Sequence, residues 1–443
     1  MNLTAFIFFV TYLLILVFRK YQLLVAWAGV LALLLLRLFP LKYALSSINP
    51  NVLAIFIATS LITALLYEVG FIDYVATHTI NLIAKKTKDP LKLRLFVMLA
   101  LVAVAGIISS FMENVATIML LYPVGLEVSR KLKVNPSYLL IGMSVATNLE
   151  GSAMLIGDSP SILTALFANM DFFDFFFLKA MKYRPSLFFA VQLGFAFGLF
   201  VLYLIFKGNL KGVKHSEVRE VVREKRLRSR TPIFIFVGYV LALVFSSFVE
   251  NKPANYIAYI CGFFIAVSVV WTLAFFNRRV EEEIDLLKHI DFQTFFFLIA
   301  IFILVGSLSY SGFINSLANW FIAISKRLGS NPVLVGYILI VAVSMVVSAF
   351  VDNIPYTMAM LPVAKLMADS LGVNMYLFIF GMLLGTTIGG NITPIGSLSN
   401  VTVLGVLKRN NFDHSFWTFA KIGLPFTLVA LAASSGFVYL IYR

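Results

Sequence analysis

Uninterrupted apolar stretches, each about as long as a membrane-spanning helix, recur along this 443-residue chain. A helix of about 20 apolar residues crosses the hydrocarbon core of a bilayer. The stretches are continuous rather than alternating, which indicates helices rather than strands. The chain has 60% hydrophobic and 13% charged residues, whereas soluble domains have roughly 45–50% and about 25%. The sequence therefore predicts an all-α polytopic membrane protein with about 10–11 transmembrane helices. The qualifying stretches are 3–18, 21–39, 48–67, 184–206, 232–249, 254–276, 291–310 and 416–441.

The first apolar stretch and the lone cysteine each argue against an alternative. No basic segment precedes the stretch and no small-residue cleavage site follows it, so we expect a retained first helix rather than a signal peptide. Cys261 is the single cysteine. It cannot form an intramolecular disulfide or a thiolate cluster that would capture trivalent arsenic.

The formal net charge of +14 is concentrated in loops, above all in the hydrophilic segment 207–231. Basic loops of membrane proteins remain on the cytoplasmic side. The charge therefore predicts orientation in an inner (cytoplasmic) membrane, with the lipid bilayer and not a nucleic acid as partner. If 207–231 is cytoplasmic, a simple threading also puts these basic groups inside: Arg19/Lys20, 85–94, 130–133, Arg278/Arg279 and Lys408/Arg409.

The chain contains an internal repeat at an offset of 239 positions. The segment 109–114 (Ser-Ser-Phe-Met-Glu-Asn) resembles 348–353 (Ser-Ala-Phe-Val-Asp-Asn), and the offset continues without a gap. A shared acid-Asn pair, proline and glycines at one offset indicate duplication rather than chance. The matching pairs are Met119/Met358, Pro123/Pro362, Val134-Asn135/Val373-Asn374, Gly142-Met143/Gly381-Met382, Gly151/Gly390, Ile156-Gly157/Ile395-Gly396 and Asp174/Asp413; upstream, Gly70-Phe71-Ile72 matches Gly312-Phe313-Ile314 after a small shift.

The repeat defines the expected domain organisation. Residues 1–206 form a first half with repeat 1 at about 48–206, and 232–443 form a second half with repeat 2 at about 291–441; the basic linker 207–231 joins them, with extra helices. The connection at 131–133 is basic, whereas its counterpart near 370–374 is not. This asymmetry predicts opposite orientations, and inverted repeats with interrupted helices are a common construction of secondary transporters.

Each repeat also contains a predicted re-entrant hairpin and a broken helix. In the first, two half-length helices run from Pro90 to near Lys131 around a polar tip, and the following helix breaks at 148–160. In the second, the hairpin opens at Pro332 with its tip at 348–355, and the break spans 386–400. Irregular backbone at membrane depth survives only where protein or water covers it. We therefore expect all four interruptions to converge on one cavity.

Four acids lie within these apolar surroundings: Glu113, Glu150, Asp158 and Asp352. A charged side chain at mid-bilayer costs about 2.5–3.5 kcal/mol on insertion scales, so such residues are functional candidates. Glu113 and Asp352 are equivalent in the two repeats. We expect a proton to compete with a cation or substrate for each of these carboxyl groups. Asp158 can instead cap the next half-helix. Glu150 aligns with Gly389 in the sequence repeat and therefore has no acidic counterpart. It is either a protein-specific coupling site or a loop residue exposed to water.

These observations predict a substrate and ion site with no catalytic residues. The proposed sodium ligands are Ser109, Asn114, Asn353 and Thr387; no other cofactor than bound sodium or a coupled proton is expected. The full set of candidate binding residues is Glu113, Asn114, Thr117, Asn148, Glu150, Gly151, Ser152, Asp158, Ser348, Asp352, Asn353, Thr387, Gly390, Asn391, Thr393, Ser397 and Asn400.

The motifs resemble those of the ion transporter superfamily, within it the arsenite permease and NhaD-type sodium/proton antiporter group, which shares a citrate transporter-like (SLC13-type) permease domain. The resemblance covers about 50–440 and rests on 112–117 (Met-Glu-Asn-Val-Ala-Thr), 351–355 (Val-Asp-Asn-Ile-Pro), 155–160 (Leu-Ile-Gly-Asp-Ser-Pro) and 392–398 (Ile-Thr-Pro-Ile-Gly-Ser-Leu). It implies a scaffold part, a transport part with paired hairpins, and a homodimer.

The sequence departs from that group in two ways that bear on substrate. Sodium/dicarboxylate symporters of the superfamily carry Ser-Asn-Thr at the hairpin tips, where this chain has Glu113 and Asp352 in place of the serine. The first break has Glu150-Gly151 where Gly-Gly is usual, and Ser161 where Asn is frequent. The resemblance thus identifies the superfamily more closely than it identifies the substrate.

The leading hypothesis is a proton- or sodium-coupled secondary transporter that exports sodium or an arsenite-like solute by alternating access. The alternative is a sodium- or proton-coupled symporter of a dicarboxylate or citrate-like anion. A channel and a membrane-embedded enzyme are the competing classes. The sequence has no His-Glu-x-x-His motif and no Walker A motif, so neither a zinc protease nor an ATP-driven pump is indicated.

Overall fold

Helices form almost all of the computed structural model, which describes residues 3–210, 227–275 and 291–443. Two short antiparallel strands, Phe177–Leu178 and Arg184–Pro185, form the one sheet in these ranges. Short 3-10 helices occupy Arg19–Tyr21, Gly151–Ala153, Phe172–Phe175 and Lys179–Met181. The α-helices are Leu3–Val17, Gln22–Leu35, Leu41–Ser46, Pro50–Glu68, Phe71–Lys86, Pro90–Ser109, Asn114–Leu132, Pro136–Glu150, Ser159–Phe167, Leu187–Asn209, Thr231–Ser246, Tyr256–Phe275, Phe292–Tyr310, Phe313–Arg327, Pro332–Ser348, Asn353–Leu371, Met375–Gly389, Leu398–Arg409 and Phe416–Tyr442.

The predicted all-α polytopic class is confirmed. Within the described ranges, six helices are long and apolar enough to cross a membrane. Leu3–Val17 and Arg19–Leu35 together would make a seventh span but are bent by 115° at their junction, and three further apolar helices are shorter. Within the described residues, each long apolar stretch predicted from the sequence contains a helix. Most of the basic linker 207–231 lies outside the described residues, as do Arg278 and Arg279.

The two repeats contain the same series of seven helices, one starting at Pro50 and the other at Phe292. The repeats share local backbone geometry as well as order. Gly70 and Gly312 both precede a helix with positive φ, at 73° and 75°. Lys133 and Gly372, 239 positions apart, both end the returning arm of a hairpin with positive φ, at 54° and 68°. The internal duplication is therefore a property of the fold.

The broken helices of the two repeats run antiparallel, which makes the repeats inverted. Ser137, at the start of the first broken helix, donates a 2.6 Å hydrogen bond to the carbonyl of Asp413, beyond the end of the second. Tyr376, at the start of the second, donates a 3.3 Å hydrogen bond to the carbonyl of Ala168, at the end of the first. Each helix thus begins where its equivalent ends, as the basic-residue asymmetry predicts.

The hairpin arms occupy the ranges predicted from the sequence, and each arm is longer than a half-length helix. The arms contain 20 and 19 residues in the first hairpin and 17 and 19 in the second, and 20 helical residues extend about 30 Å. Arg94 is fully buried, and its Nε donates a 2.9 Å hydrogen bond to the carbonyl of Leu132, which joins the far ends of the two arms.

The helix pair that precedes each repeat packs against the opposite repeat. The pair at the N-terminus packs on Phe292–Tyr310, the first helix of repeat 2. Thr231–Ser246 and Tyr256–Phe275 pack on Pro50–Glu68, the first helix of repeat 1. The two halves therefore interlock around the hairpins and broken helices, which carry the candidate site.

Candidate functional site

The tip of each hairpin is organised by a serine and an asparagine five positions apart. In the first repeat, Ser109 Oγ donates a 2.7 Å hydrogen bond to Asn114 Oδ1. In the second, Ser348 Oγ donates a 2.5 Å hydrogen bond to Asn353 Oδ1. Both serines are fully buried. The sequence repeat thus produces the same closed turn twice.

One carboxyl side chain lies at the end of each of these turns. Glu113 and Asp352 occupy the position just before the returning arm. Asp352 caps that arm, since its Oδ1 accepts a 3.0 Å hydrogen bond from the Ile354 N–H. Glu113 makes no side-chain cap. The longer side chain of Glu113 is thus free of a local capping role.

The break in each broken helix packs directly on the hairpin tip of its own repeat. A Cβ added to Gly157 would lie 2.4 Å from the carbonyl oxygen of Gly151 and 2.8 Å from that of Ser110. Real Cβ atoms do not approach backbone oxygens so closely, so only glycine fits. The equivalent distances from Gly396 are 2.4 Å to the carbonyl of Gly390 and 2.8 Å to that of Ser348.

Both tips and both breaks meet at one cleft, which we call the inter-tip cleft. It contains about 400 Å³ of empty space, part of which lies beyond the protein surface. The convergence expected from the sequence is thus observed in the geometry. The lining residues are Glu113, Asn114, Val115, Asp158, Pro160, Asp352, Asn353, Ile354, Ser397 and Leu398.

Three carboxyl groups, those of Glu113, Asp158 and Asp352, line the inter-tip cleft. Glu113 interacts electrostatically with both Asp158 and Asp352. Ser159 Oγ donates a 3.4 Å hydrogen bond to Glu113 Oε1. Asp158 Oδ1 caps the second half-helix by accepting a 2.9 Å hydrogen bond from the Ser161 N–H, while its Oδ2 is buried without a protein partner. Asp158 therefore combines the predicted capping role with a free oxygen at the cleft.

Four helices begin at the inter-tip cleft. The returning arms start at Asn114 and Asn353, and the second half-helices start at Ser159 and Leu398. First-turn residues of all four line the cleft. A helix N-terminus carries a partial positive charge and free N–H groups. The dipoles therefore offset part of the negative charge of the three acids and provide donors for anionic oxygens.

Asn148 lies at the centre of a buried amide network that joins the two breaks. Its Nδ2 donates to Asn391 Oδ1 at 2.7 Å and to Asn400 Oδ1 at 3.1 Å. Asn391 Nδ2 in turn donates to the carbonyl of Val145 at 3.0 Å. The side chains that donate to Asn148 Oδ1 are Asn114 at 3.3 Å, Ser397 at 3.0 Å and Ser399 at 2.7 Å.

Several predicted binding residues do not line the inter-tip cleft. Ser152 and Thr387 donate their hydroxyls to carbonyls one turn earlier in their own segments. Thr393 donates to the carbonyl of Ala349, and so fixes the second break to the second tip. Thr117 is fully buried, and its hydroxyl has no protein partner. The structure gives the first three a role in holding the breaks and tips together.

The two glycines predicted at the site act through close packing. A Cβ on Gly151 would lie 2.5 Å from Asn114 Oδ1, and one on Gly390 would lie 3.5 Å from Asn353 Oδ1. Of the proposed sodium ligands, Ser109 and Asn114 contact each other, and Asn353 occupies the equivalent position in the second tip. Thr387 is not among the residues that line the cleft.

Glu150 is 1% exposed, so the alternative that it is a loop residue facing water is wrong. It ends the first half of the broken helix but is not among the cleft-lining residues. Its Oε2 accepts a 2.7 Å hydrogen bond from Gln192 Nε2.

Sequence reasoning missed two polar residues that complete the amide network. Ser144 Oγ donates to Asn400 Oδ1 at 2.7 Å, and Ser399 Oγ donates to Asn148. Both are fully buried. The helical spacing of Ser144, Thr147 and Asn148 was an available signal, since residues three and four apart share one helix face.

Arg19 approaches the second break, although sequence reasoning placed no basic residue there. Its Nη2 donates to the carbonyl of Ile395, and its Nη1 is buried without a hydrogen-bond partner. Its charge acts on Asp352. The hydroxyl of Tyr12 is also buried without a hydrogen-bond partner, and it interacts electrostatically with Asp352 and Arg19. The sharp bend between the first two helices, which sequence does not reveal, brings Arg19 to this position.

Comparison with known proteins agrees with this architecture. A family model described as "Citrate transporter" matches residues 12–385. An uncharacterized transporter of Mycobacterium tuberculosis (strain ATCC 25618 / H37Rv) is 30% identical over 400 residues, covering 90% of this chain and 87% of the relative. The P protein of Sus scrofa is 24% identical over 448 residues, covering 86% of this chain and 52% of that protein.

A solved structure shares the fold. The YdaH transporter of Alcanivorax borkumensis, whose crystal structure is described as having an unusual topology, superposes with a TM-score of 0.60. The match covers 89% of this chain and 84% of that chain at 14% sequence identity. The similarity at this level concerns the fold alone.

Proposed function

We propose, from the premise that this chain belongs to the citrate transporter family of the ion transporter superfamily, that it is a proton-coupled secondary transporter whose substrate binds in the inter-tip cleft. Membership in a family described as citrate transporters supports a membrane transporter. The coupling ion, the substrate and the direction of transport are parts of the proposal.

One observation carries the proposal: Glu113, Asp158 and Asp352 line a single cleft whose described lining contains no lysine or arginine. Three ionised carboxyls in such a place repel one another and are poorly solvated. Binding a proton or a cation relieves both costs. Substrate and proton therefore compete for the same acids, and this competition is the basis of coupled exchange.

The favoured cargo is a cation such as sodium, or a neutral arsenite-like hydroxide, exported in exchange for protons. Sodium requires oxygen ligands, which the three carboxyls, Asn114 and Asn353 can supply. A neutral hydroxide could donate to the carboxylates and accept from amide and hydroxyl groups. Cys261 is fully buried beside Tyr239 and is not among the residues that line the cleft, so recognition of arsenite would use oxygen rather than sulfur.

The second candidate is import of a citrate-like anion together with protons. Four helix N-termini at the cleft favour it, because they provide N–H donors and partial positive charge. Arg19 adds a guanidinium beside the second break. In this mode the acids would bind protons first, so that the carboxylates of the substrate meet neutral side chains. The description of the family is consistent with this candidate.

The transport step would be a movement of the hairpins and broken helices against the first helices of the repeats. A further cleft, with about 810 Å³ of empty space, lies between these parts and is lined mainly by apolar side chains such as Leu163, Phe302 and Leu361. Such a surface permits sliding because few polar bonds must break. The proposed scaffold includes a homodimer contact.

The conformation is proposed to be inward-facing. The inter-tip cleft lies beside Arg19, which the basic-residue distribution assigns to the cytoplasmic side together with the linker 207–231. Asp291, which also interacts electrostatically with Glu113, follows the connection that contains Arg278 and Arg279, and the basic-residue distribution assigns these two residues to the same side. In an inner membrane with this orientation, the cleft opens towards the cytoplasm.

The decisive experiment uses purified protein in liposomes that contain a pH-sensitive dye, with a proton gradient imposed. Sodium, lithium, arsenite and citrate are added in turn to the wild type, Glu113→Gln and Asp352→Asn. We expect one substrate class to move protons in the wild type, and each variant to lose at least about tenfold in rate, roughly 1.4 kcal/mol of transition-state stabilisation. The exposed Glu127, paired with Lys131, provides the matched control Glu127→Gln.

Each outcome has a defined meaning. A response to sodium or lithium alone identifies a cation/proton antiporter, and a response to arsenite or citrate alone identifies the corresponding permease. Wild-type rates in both Glu113→Gln and Asp352→Asn, with normal membrane insertion, would contradict the assignment of the two acids.

A further inference from the structure

Glu150 occupies an enclosed site behind the inter-tip cleft. It packs against Gly106 of the first hairpin, and Phe195 of the helix Leu187–Asn209 packs on the same glycine. Its carboxyl accepts one hydrogen bond, from Gln192 Nε2, and its Oε1 is buried with no partner. Gln192 is only half-buried, so it lies between the carboxyl and the surface of the protein.

The space for this carboxyl is built into one repeat and absent from the other. Gly106 and Glu150 correspond to Met345 and Gly389 at the offset of 239. A Cβ on Gly106 would lie 3.0 Å from Glu150 Cγ, so the glycine leaves room for the acid. A Cβ on Gly389 would lie 2.6 Å from Met345 Cα, so the second repeat closes that space. If position 150 served helix packing alone, glycine would suffice there, as Gly389 does at the equivalent position of the second repeat.

The described residues that directly contact Glu150 are Gly106 of the first hairpin and Gln192 of the helix Leu187–Asn209, and neither can carry a charge. The hydrogen bond from Gln192 is therefore the stabilisation that these contacts give to an ionised carboxylate. Glu150 also ends a half-helix, where the helix dipole disfavours negative charge. A buried carboxylate without a counter-charge is strongly disfavoured because it has lost its hydration, whereas the protonated acid is neutral.

We propose that Glu150 is a separate proton-binding site, which holds a single proton in this conformation and exchanges it past Gln192 during each transport cycle. The step is the equilibrium between the carboxylic acid and the carboxylate plus a released proton. No other bond changes. This inference rests on the proposed proton-coupled transport and adds a site that the substrate does not occupy.

Glu150 has a direct structural connection to the cleft. The next residue, Gly151, packs so closely on Asn114 that a Cβ there would lie 2.5 Å from Asn114 Oδ1. Asn114 lines the cleft and contacts Asn148. A shift of the half-helix that exposes Glu150 must therefore move the tip of the first hairpin. Proton release at Glu150 and rearrangement of the cleft are thereby linked.

The experiment is infrared difference spectroscopy of the full-length reconstituted protein between acidic and alkaline pH. We expect a carboxylic-acid C=O band that disappears in Glu150→Gln, shifts in frequency in Gln192→Leu because its hydrogen bond is lost, and persists in Glu127→Gln. A band unchanged in Glu150→Gln would overturn the proposal. Gln192→Leu keeps the test decisive if the first variant is unstable, since an unshifted band in it contradicts the assignment equally.

A transport measurement separates this inference from the function on which it rests. In liposomes, Glu150→Gln should still bind and exchange substrate but move one proton fewer per cycle than the wild type. An unchanged proton-to-substrate ratio would refute the role of Glu150 in transport. If the wild type moves no protons at all, the proposed function fails, while the infrared band still decides whether Glu150 titrates.

Discussion

Asn148 Nδ2 donates a 2.7 Å hydrogen bond to Asn391 Oδ1, and this bond joins the broken helices of the two inverted repeats at the centre of the molecule. The two residues are 243 positions apart and both are fully buried. The network around them fixes both breaks relative to each other, so the two halves of the site are held as one unit.

Replacing Asn148 by leucine should destabilise the protein strongly. The change leaves the amide of Asn391 and the hydroxyl of Ser399 with fewer partners, and each buried unsatisfied group costs about 1–3 kcal/mol. We expect a fall in unfolding temperature of several degrees and loss of transport. The control is Asn410→Ala, because the Asn410 amide donates to the carbonyl of Val406 one turn earlier and takes no part in the network. Equal unfolding temperatures for Asn148→Leu and wild type would contradict a structural role of the network.

Alanine at Gly157 or Gly396 should abolish transport. Each added Cβ would lie 2.4 Å from a backbone carbonyl in the break, and backbone cannot yield as a flexible side chain does. The matched control is Gly405→Ala in the second half-helix, where nothing lies within 4 Å; it should be stabilising by about 0.5–1 kcal/mol. Transport rate and thermal stability of the three variants test the point. Active Gly157→Ala and Gly396→Ala proteins would show that the breaks rearrange freely.

Removing the charge of Arg19 should change affinity according to the charge of the substrate. Arg19 acts on Asp352 and donates to the carbonyl of Ile395. Without the positive charge of Arg19, a cation should bind the cleft more tightly and an anion more weakly. The expected change in affinity is a factor of about 3–10, which corresponds to roughly 0.7–1.4 kcal/mol. Transport KM values for Arg19→Gln measure the effect. The exposed neighbour provides the control Lys20→Gln. Equal KM values in both variants would contradict a role of the Arg19 charge in substrate binding.

Asp171 should make stability depend on pH. It lies in the loop after the first broken helix, where its Oδ2 accepts 2.6 Å hydrogen bonds from both Lys179 and Lys252, and Tyr256 donates to its Oδ1. Burial raises the pKa of this carboxyl, but the three donors outweigh burial and hold the pKa below its usual value. The stabilisation is therefore complete above the unfolded value of about 3.9 and is lost as pH falls through the lower folded value.

The comparison of wild type with Asp171→Asn measures this contribution. The variant should unfold at a lower temperature at neutral pH, since hydrogen bonds to charged groups contribute about 1.5–3 kcal/mol each. The difference should shrink as the pH approaches the folded pKa. Exposed Asp369 provides the control Asp369→Asn, which should show no such loss. A difference that is independent of pH would mean that the charge of Asp171 is not the cause.

The site was predictable where one residue type has one physical role. The acid-Asn motifs placed Glu113 and Asp352 at equivalent tips, and the density of glycine and proline located the breaks, because these residues interrupt helices in any context. Thr387 and Ser152 were assigned to the site because they are polar. A hydroxyl in an apolar helix can bond its own backbone instead, and this choice depends on neighbours that the sequence does not show.

The sequence by itself determined the membrane-embedded helical class, the duplication and the position of the acids, since apolar runs, a constant offset and isolated carboxyls are local or periodic properties. Only the tertiary structure decided which polar residues meet. It brought Arg19 to Ile395 through a bend, buried Glu150 behind the cleft against Gly106, and crossed the helix pairs onto opposite repeats. These contacts join residues far apart in the chain, and their free energies depend on distance in space, which helix patterns alone do not fix.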